Sequence, residues 1–277
     1  MRLISSTLFS VAAAMASFGL VFAVPAGAQA TAAARQTSSS LSAAPPPAPL
    51  STSAELAAAS ERVAQMEQTL ADWPDLAKYR DANAALAAPS ESEKRVVFMG
   101  DSITESWGNT DPQFFAAHAY IDRGISGQTT PQMLVRFRQD AIELRPAVVV
   151  ILAGTNDIAG NTEPTSIEAI EGNLESMAEL ARGNGIRVVL SSVLPVFDYP
   201  WRRGLQPGPK IAALNSWIKD YCGKAGCVYL DYFSAMADER QGLPAALSSD
   251  GVHPNQAGFA IMEPLAEAAI AKALARQ

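Results

Sequence analysis

The chain has 277 residues, 48% of them hydrophobic and 18% charged, with a formal net charge of −7. The hydrophobic share supplies a core and excludes an intrinsically disordered chain. The acidic balance lacks the basic footprint that phosphate backbones require, so no nucleic-acid partner is expected.

Residues 1–30 read as a signal peptide. Met1 and Arg2 open it, an apolar run covers 8–24, and Ala28-Gln29-Ala30 has the small-x-small pattern of a cleavage site. Cleavage after Ala30 predicts a secreted or periplasmic chain with no stable membrane insertion; the alternative is a retained anchor. Residues 31–52 form an Ala/Ser/Pro-rich linker around Pro45-Pro46-Pro47, a composition that buries too little surface to order itself. Residues 53–93 form an N-terminal helical extension. Its first helix, 53–72, carries Leu56, Val63, Met66 and Leu70 near helical spacing and stops at Pro74; a second covers 76–86. Both are expected to pack outside the main domain.

From residue 94 to 277 strands and helices alternate. Strands are expected at 95–99, around Tyr120 and Ile121 ending near Gly124, and at 147–153, 186–193 and 228–231; helices at 131–144, 166–182, 210–219 and 255–276. The run 147–153 is continuously apolar and should be central, covered on both faces. A βαβ series predicts an α/β fold with a five-stranded parallel sheet and ligands at the carboxyl ends of its strands.

The polar residues gather where those strands end: Gly100-Asp101-Ser102, Gly124-Ile125-Ser126-Gly127, Gly154-Thr155-Asn156-Asp157 and, before the last helix, Asp250-Gly251-Val252-His253. Together they hold what acyl transfer through a serine needs. Ser102 is the candidate nucleophile and His253 the base that takes its proton. Asp250, three residues before His253, can fix the imidazole and stabilise its charge. The amides of Ser102 and Gly127 and the side chain of Asn156 are candidate oxyanion donors. Asp101 and Asp157 read as structural, holding the strand-end loops. Two Cys and two His do not fit a four-ligand zinc site, and neither a metal nor a cofactor is expected.

These four blocks, in this order, resemble the SGNH hydrolases, or GDSL esterases/lipases. The resemblance covers about 94–277. It implies a three-layer α/β/α flavodoxin-like fold, Ser102 with Asp250 and His253 as catalytic triad, and Gly127 and Asn156 in the oxyanion hole. One departure is Asp122, where relatives often carry Asn before Arg-Gly. The expected activity is hydrolysis of short acyl esters, from a small-molecule or glycan substrate. Alternatives are carbohydrate deacetylation, lysophospholipase or thioesterase activity, and a non-catalytic glycan-binding or cell-wall-binding module.

Candidate substrate contacts are Trp107, Ile125, Tyr199, Trp201 and Val252. Trp107 follows the nucleophile on its helix and would wall the acyl pocket, and the loop 194–208 offers aromatic side chains at the rim. After export, Cys222 and Cys227 can close a small disulfide loop; the alternative is two free thiols.

Overall fold

The apolar runs pair into a single sheet in the computed structural model, which describes residues 53–90, 92–162 and 165–276. The expected signal peptide and linker lie outside the described residues. Strands β1 (Val96–Gly100), β2 (Tyr120–Gly124), β3 (Val148–Leu152), β4 (Arg187–Ser191) and β5 (Val228–Leu230) are all parallel, in the order β2-β1-β3-β4-β5. Every residue of β1 and β3 is buried, as a parallel sheet covered on both faces requires.

The helices are α1 (Ser53–Ala71), α2 (Arg80–Ala85), α3 (Ser102–Thr110), α4 (Pro112–Ala117), α5 (Thr130–Asp140), α6 (Thr155–Ala159), α7 (Ile167–Gly183), α8 (Gly208–Ala225), α9 (Phe233–Met236) and α10 (Gln256–Ala275). Successive strand residues point to opposite faces. Val97, Met99, Val149 and Ile151 pack in one core with side chains of α5, α7 and α8. Val96, Phe98, Val148 and Val150 pack in a second core with side chains of α3, α4 and α10. This is the three-layer α/β/α arrangement expected.

The strand order places the site. From β1 the chain moves to β2 on one side, then crosses back to β3 on the other. In open α/β sheets such a reversal leaves a crevice at the carboxyl ends of the flanking strands. Here those ends lead into Ser102 and Asn156.

Two expected helices come out differently. The helix expected over 76–86 is reduced to α2, because Asp72 accepts from the backbone amides of Leu76 and Ala77 at 2.8 and 2.9 Å and holds residues 72–79 in turns. The helix expected over 131–144 is α5 followed by a separate 3-10 turn, Ile142–Leu144.

The extension also does more than sit outside the domain. Trp73 and Leu76 carbonyls accept from Gln132 and Gln139 of α5 at 2.8 and 2.9 Å. Asn83 donates to Asp140 at 2.7 Å and accepts from Arg123 of β2 at 2.9 Å. Residues 73–83 are thus a strap bound along α5 and the end of β2. The structure joins Cys222, near the end of α8, to Cys227, just before β5, as a disulfide.

Candidate active site

β1 runs into the helix start that carries the candidate nucleophile. Asp101 caps α3, its carboxylate accepting from Ile103 N at 2.9 Å, so Ser102 is the first residue of the helix. A Cβ on Gly124 would lie 2.2 Å from Glu105 N and 2.7 Å from the Asp101 carbonyl. Only glycine lets the end of β2 pass this close to the first turn of α3.

Ser102 Oγ lies 2.8 Å from His253 Nε2, and His253 Nδ1 lies 2.7 Å from Asp250 Oδ2. Facing a carboxylate, Nδ1 carries the proton, which leaves Nε2 as an acceptor for the serine hydroxyl. The other oxygen of Asp250 accepts from the amides of Val252 and His253 at 2.9 and 2.8 Å and from Ser248 Oγ at 3.0 Å. Partial burial pushes the Asp250 carboxyl up, but the hydrogen bonds from the His253 side chain and from the His253 and Val252 amides outweigh it and hold it at about 2. The carboxylate therefore stays charged beside the imidazole, as stabilising an imidazolium requires.

The candidate oxyanion donors are positioned as closely. Asn156 donates one amide hydrogen to the Gln128 carbonyl at 3.0 Å, and its oxygen accepts from Asn161 Nδ2 at 2.9 Å. Those two bonds fix the amide plane and leave its second N–H available. The backbone amides of Ser102 and Gly127 have no acceptor among the described residues. Gly127 has φ +78°, a conformation that favours glycine.

The loop carrying Gly127 is tied down along its length. Ile125 N donates to the Gly100 carbonyl at 3.1 Å and Ser126 N to Glu105 at 2.9 Å. Glu105 in turn pairs with Lys78 of the strap at 2.7 Å, and the Tyr79 hydroxyl donates to the Gly124 carbonyl. Gln128 donates to the Pro74 carbonyl at 2.6 Å and accepts from Arg136 Nε at 2.5 Å. Arg136, fully buried, reaches the Gly100 carbonyl at 2.9 Å and pairs with Asp140 at 3.2 Å.

Asp157 accepts from the amide and hydroxyl of Thr130, the latter at 2.6 Å, and joins the end of β3 to the start of α5. Burial pushes Asp101 and Asp122 up to about 7 each, and raises Asp157 despite the bonds from Thr130.

The candidate substrate contacts divide. Trp107 is 1% exposed and stacks between Phe114 and Phe259 in the core; it walls no pocket. Tyr199 is buried, with its hydroxyl held by the Thr155 side chain and carbonyl at 3.0 and 2.9 Å. The Val252 side chain is also in the core. Packing around each of the three excludes substrate contact. Ile125 lines a cavity of about 460 Å³ beside the loop that carries Gly127, shared with Trp73, Asp75, Ser126 and Gln132. Trp201 is 46% exposed, with its ring 6.2 Å from that of His253 and its Nε1 donating to Asn161 at 3.2 Å. Among the described residues no group of three His, Cys, Asp or Glu side chains is placed to hold a metal ion.

A family model described as the GDSL-like lipase/acylhydrolase family matches residues 98–261. The chain belongs to that family. Within it, a crystal structure of a GDSL-like lipase from Bacteroides thetaiotaomicron is 48% identical, with TM-score 0.71, over 72% of this chain and 98% of that one. Esterase TesA of Pseudomonas aeruginosa is 25% identical over 182 residues, 61% of this chain and 84% of its own length. An uncharacterised lipoprotein, YqeF, of Bacillus subtilis is 33% identical over 81 residues; the match covers 28% of this chain and 33% of that protein. The GDSL-like family accounts for the four motif blocks and for an ester hydrolase on this fold.

Sequence reasoning did not find Asn161, Gln128 or Arg136, and it placed Arg202 only as one residue of the rim loop 194–208. Arg202 clamps the turn after α6 by donating to the Ala159 and Gly160 carbonyls at 2.8 and 2.6 Å. None of these residues lies in a motif block; Gln128 directly follows Gly127. Arg136–Asp140 is an i,i+4 helix pair, but the contacts of Arg136 with the Gly100 carbonyl and of Gln128 with Asn156 span 36 and 28 residues and carry no sequence signal.

Proposed function

We propose that the protein is an exported serine esterase that hydrolyses short acyl esters through an acyl-Ser102 intermediate. The observation that carries this reading is the continuous line Ser102–His253–Asp250, with contacts of 2.8 and 2.7 Å. As Ser102 Oγ attacks the ester carbonyl, His253 Nε2 takes its proton, and the imidazolium is stabilised by Asp250. The carbonyl oxygen becomes an oxyanion, received by the amides of Ser102 and Gly127 and the free N–H of Asn156. Collapse of the tetrahedral intermediate breaks the bond to the alcohol oxygen, which takes the proton from His253. Water, deprotonated by the same imidazole, then releases the acid and restores Ser102.

Trp201 favours a more specific form of this reading. The leaving oxygen must lie near His253 Nε2, so the alcohol departs past an exposed indole beside that ring. A flat aromatic surface there suits a sugar ring, and O-deacetylation of a carbohydrate is the second reading.

The test is kcat/KM of the exported protein on p-nitrophenyl esters from acetyl to palmitoyl and on an acetylated glycan, with Ser102→Ala as blank. The reading expects a maximum at acetyl to butyryl that falls about 10⁴-fold or more in the variant. A maximum at long chains overturns the short-acyl preference, and activity equal to the blank throughout overturns the esterase. A preference for the acetylated glycan that is lost in Trp201→Ala supports the second reading.

A further inference from the structure

Helix α1 carries four large apolar side chains, and all four face solvent: Leu56 is 59% exposed, Val63 54%, Met66 64% and Leu70 77%. Their spacing is a heptad. Leu56, Val63 and Leu70 fall on successive a positions, with Ala59 and Met66 on the intervening d positions; Trp73, just past the helix, falls on the next. An a/d seam held at a period of 3.5 residues suits a partner helix, because that period keeps the seam facing the partner as the two helices supercoil. Most helical stability in proteins comes from packing an apolar face, and apart from Ala59, which is half-buried, every described side chain of α1 is exposed.

The flanking charges identify the partner. In this register Arg62 is at g and Glu67 at the following e, and neither forms an ion pair among the described residues. In a parallel pair of identical helices each g residue faces the next e residue of the other chain. Arg62 of each chain then meets Glu67 of its partner, twice by symmetry. In an antiparallel pair g faces g and e faces e; the register that sets Arg62 against Thr69 and Glu67 against Ser60 forms no ion pair, and bringing Arg62 to Glu55, the other charged g residue, staggers the helices and leaves Val63, Met66 and Leu70 outside the overlap. The parallel arrangement joins the Arg62–Glu67 pairs to the full seam. We infer that α1 pairs with α1 of a second copy of this chain as a short parallel coiled coil, and that the protein is a homodimer joined through its N-terminal extension.

The inference does not depend on the ester-hydrolase reading, and its test reads assembly instead of turnover. Sedimentation of the full exported chain over a range of concentrations is expected to show a monomer–dimer equilibrium. Val63→Asp with Met66→Asp places charges on the exposed seam and is expected to give monomer at every concentration, with an unchanged circular dichroism spectrum and melting transition of the α/β domain as the control for folding. Arg62→Glu is expected to weaken the dimer by about tenfold in dissociation constant, since like charges then face each other twice. Adding Glu67→Arg is expected to restore it. Leu70→Cys is expected to form an intermolecular disulfide on oxidation, because in a parallel pair position 70 meets itself. A wild-type chain that stays monomeric at several hundred micromolar overturns the inference, as does a dimer that survives the seam charges. Failure of the double charge reversal to restore what Arg62→Glu weakened, or of Leu70→Cys to cross-link, overturns the parallel register.

Discussion

Asn156 shows how much a single side chain is asked to do. One N–H and the oxygen of its amide are held by Gln128 and Asn161, so the remaining N–H has a fixed direction before substrate arrives. A preorganised donor acts on the oxyanion and little on the ground state. Asn156→Ala should therefore lower kcat by about 10²–10³-fold with KM nearly unchanged; a loss confined to KM would remove Asn156 from the oxyanion hole. Asp122 offers a second test, from pH. Burial raises its carboxyl to about 7, against the pull of the Gly124 amide at 2.6 Å, and the nearby Glu105 adds to the rise. In the unfolded chain an aspartate titrates near about 3.9. Between those values the folded state holds a proton that the unfolded state releases, so stability falls as pH rises from about 4 to 7. Asn can keep the bond to Gly124 without ionising. Asp122→Asn should leave the melting temperature nearly unchanged at pH 4 and raise it at pH 8; equal shifts at both pH values would exclude ionisation as the cause. Asp250 has the opposite sign. Its carboxyl is held at about 2, so its contribution is present above about pH 4 and is lost as pH falls toward 2.

At the scale of elements, the strands and the site blocks were legible because both follow local rules. The run Val-Val-Val-Ile-Leu of β3 has a single reading, a strand covered on both faces. Three short polar blocks at the ends of β1, β2 and β3 then converge as soon as the sheet is parallel, and the fourth, Asp250–His253, joins them from the segment before α10. Trp107 was not legible. A tryptophan five residues after Ser102 faces either the cleft or the opposite core, and the choice was made by Phe114 and Phe259, which come from α4 and α10. Tyr199 failed for the same reason, its hydroxyl meeting Thr155 across 44 residues. The strap was hidden as well, because its bonds run from backbone carbonyls of 73–76 to glutamines of the oxyanion loop and α5, and backbone carbonyls carry no sequence signal. The disulfide is an element-scale feature that can be tested alone. It joins the end of α8 to the segment entering β5 with a sequence separation of 5, at the end of these strands remote from Ser102. Closing so short a loop is worth about 2 kcal/mol on the chain-entropy account. Cys222→Ala with Cys227→Ala should lower the melting temperature by about 4–8 °C and leave kcat within twofold of wild type, since neither residue touches the site. A large fall in kcat at a temperature where the variant is folded would show that α8 and β5 are coupled to the catalytic line.

For the whole molecule, the disulfide and the N-terminal sequence each bear on the proposed export by an independent route. A disulfide persists where the environment is oxidising, and reducing systems keep cytosolic thiols free. The first thirty residues have the order of a secretory leader, ending in Ala28-Gln29-Ala30. Among the described residues no helix is long and apolar enough to cross a membrane. The two routes can be separated by expressing the full chain beside a version beginning at Thr31 that stays in the cytoplasm. The exported protein should have Thr31 as its N-terminus by mass spectrometry and resist a thiol-reactive probe until it is denatured and reduced. The cytoplasmic version, denatured without reductant, should react at both Cys222 and Cys227. Recovery of the full chain in the membrane fraction with Met1 intact would convert the leader into an anchor. A cytoplasmic version that is already oxidised would remove the disulfide as an argument for export. A thiol-reactive exported chain would show that the fold does not need the bond that α8 and β5 are placed to make.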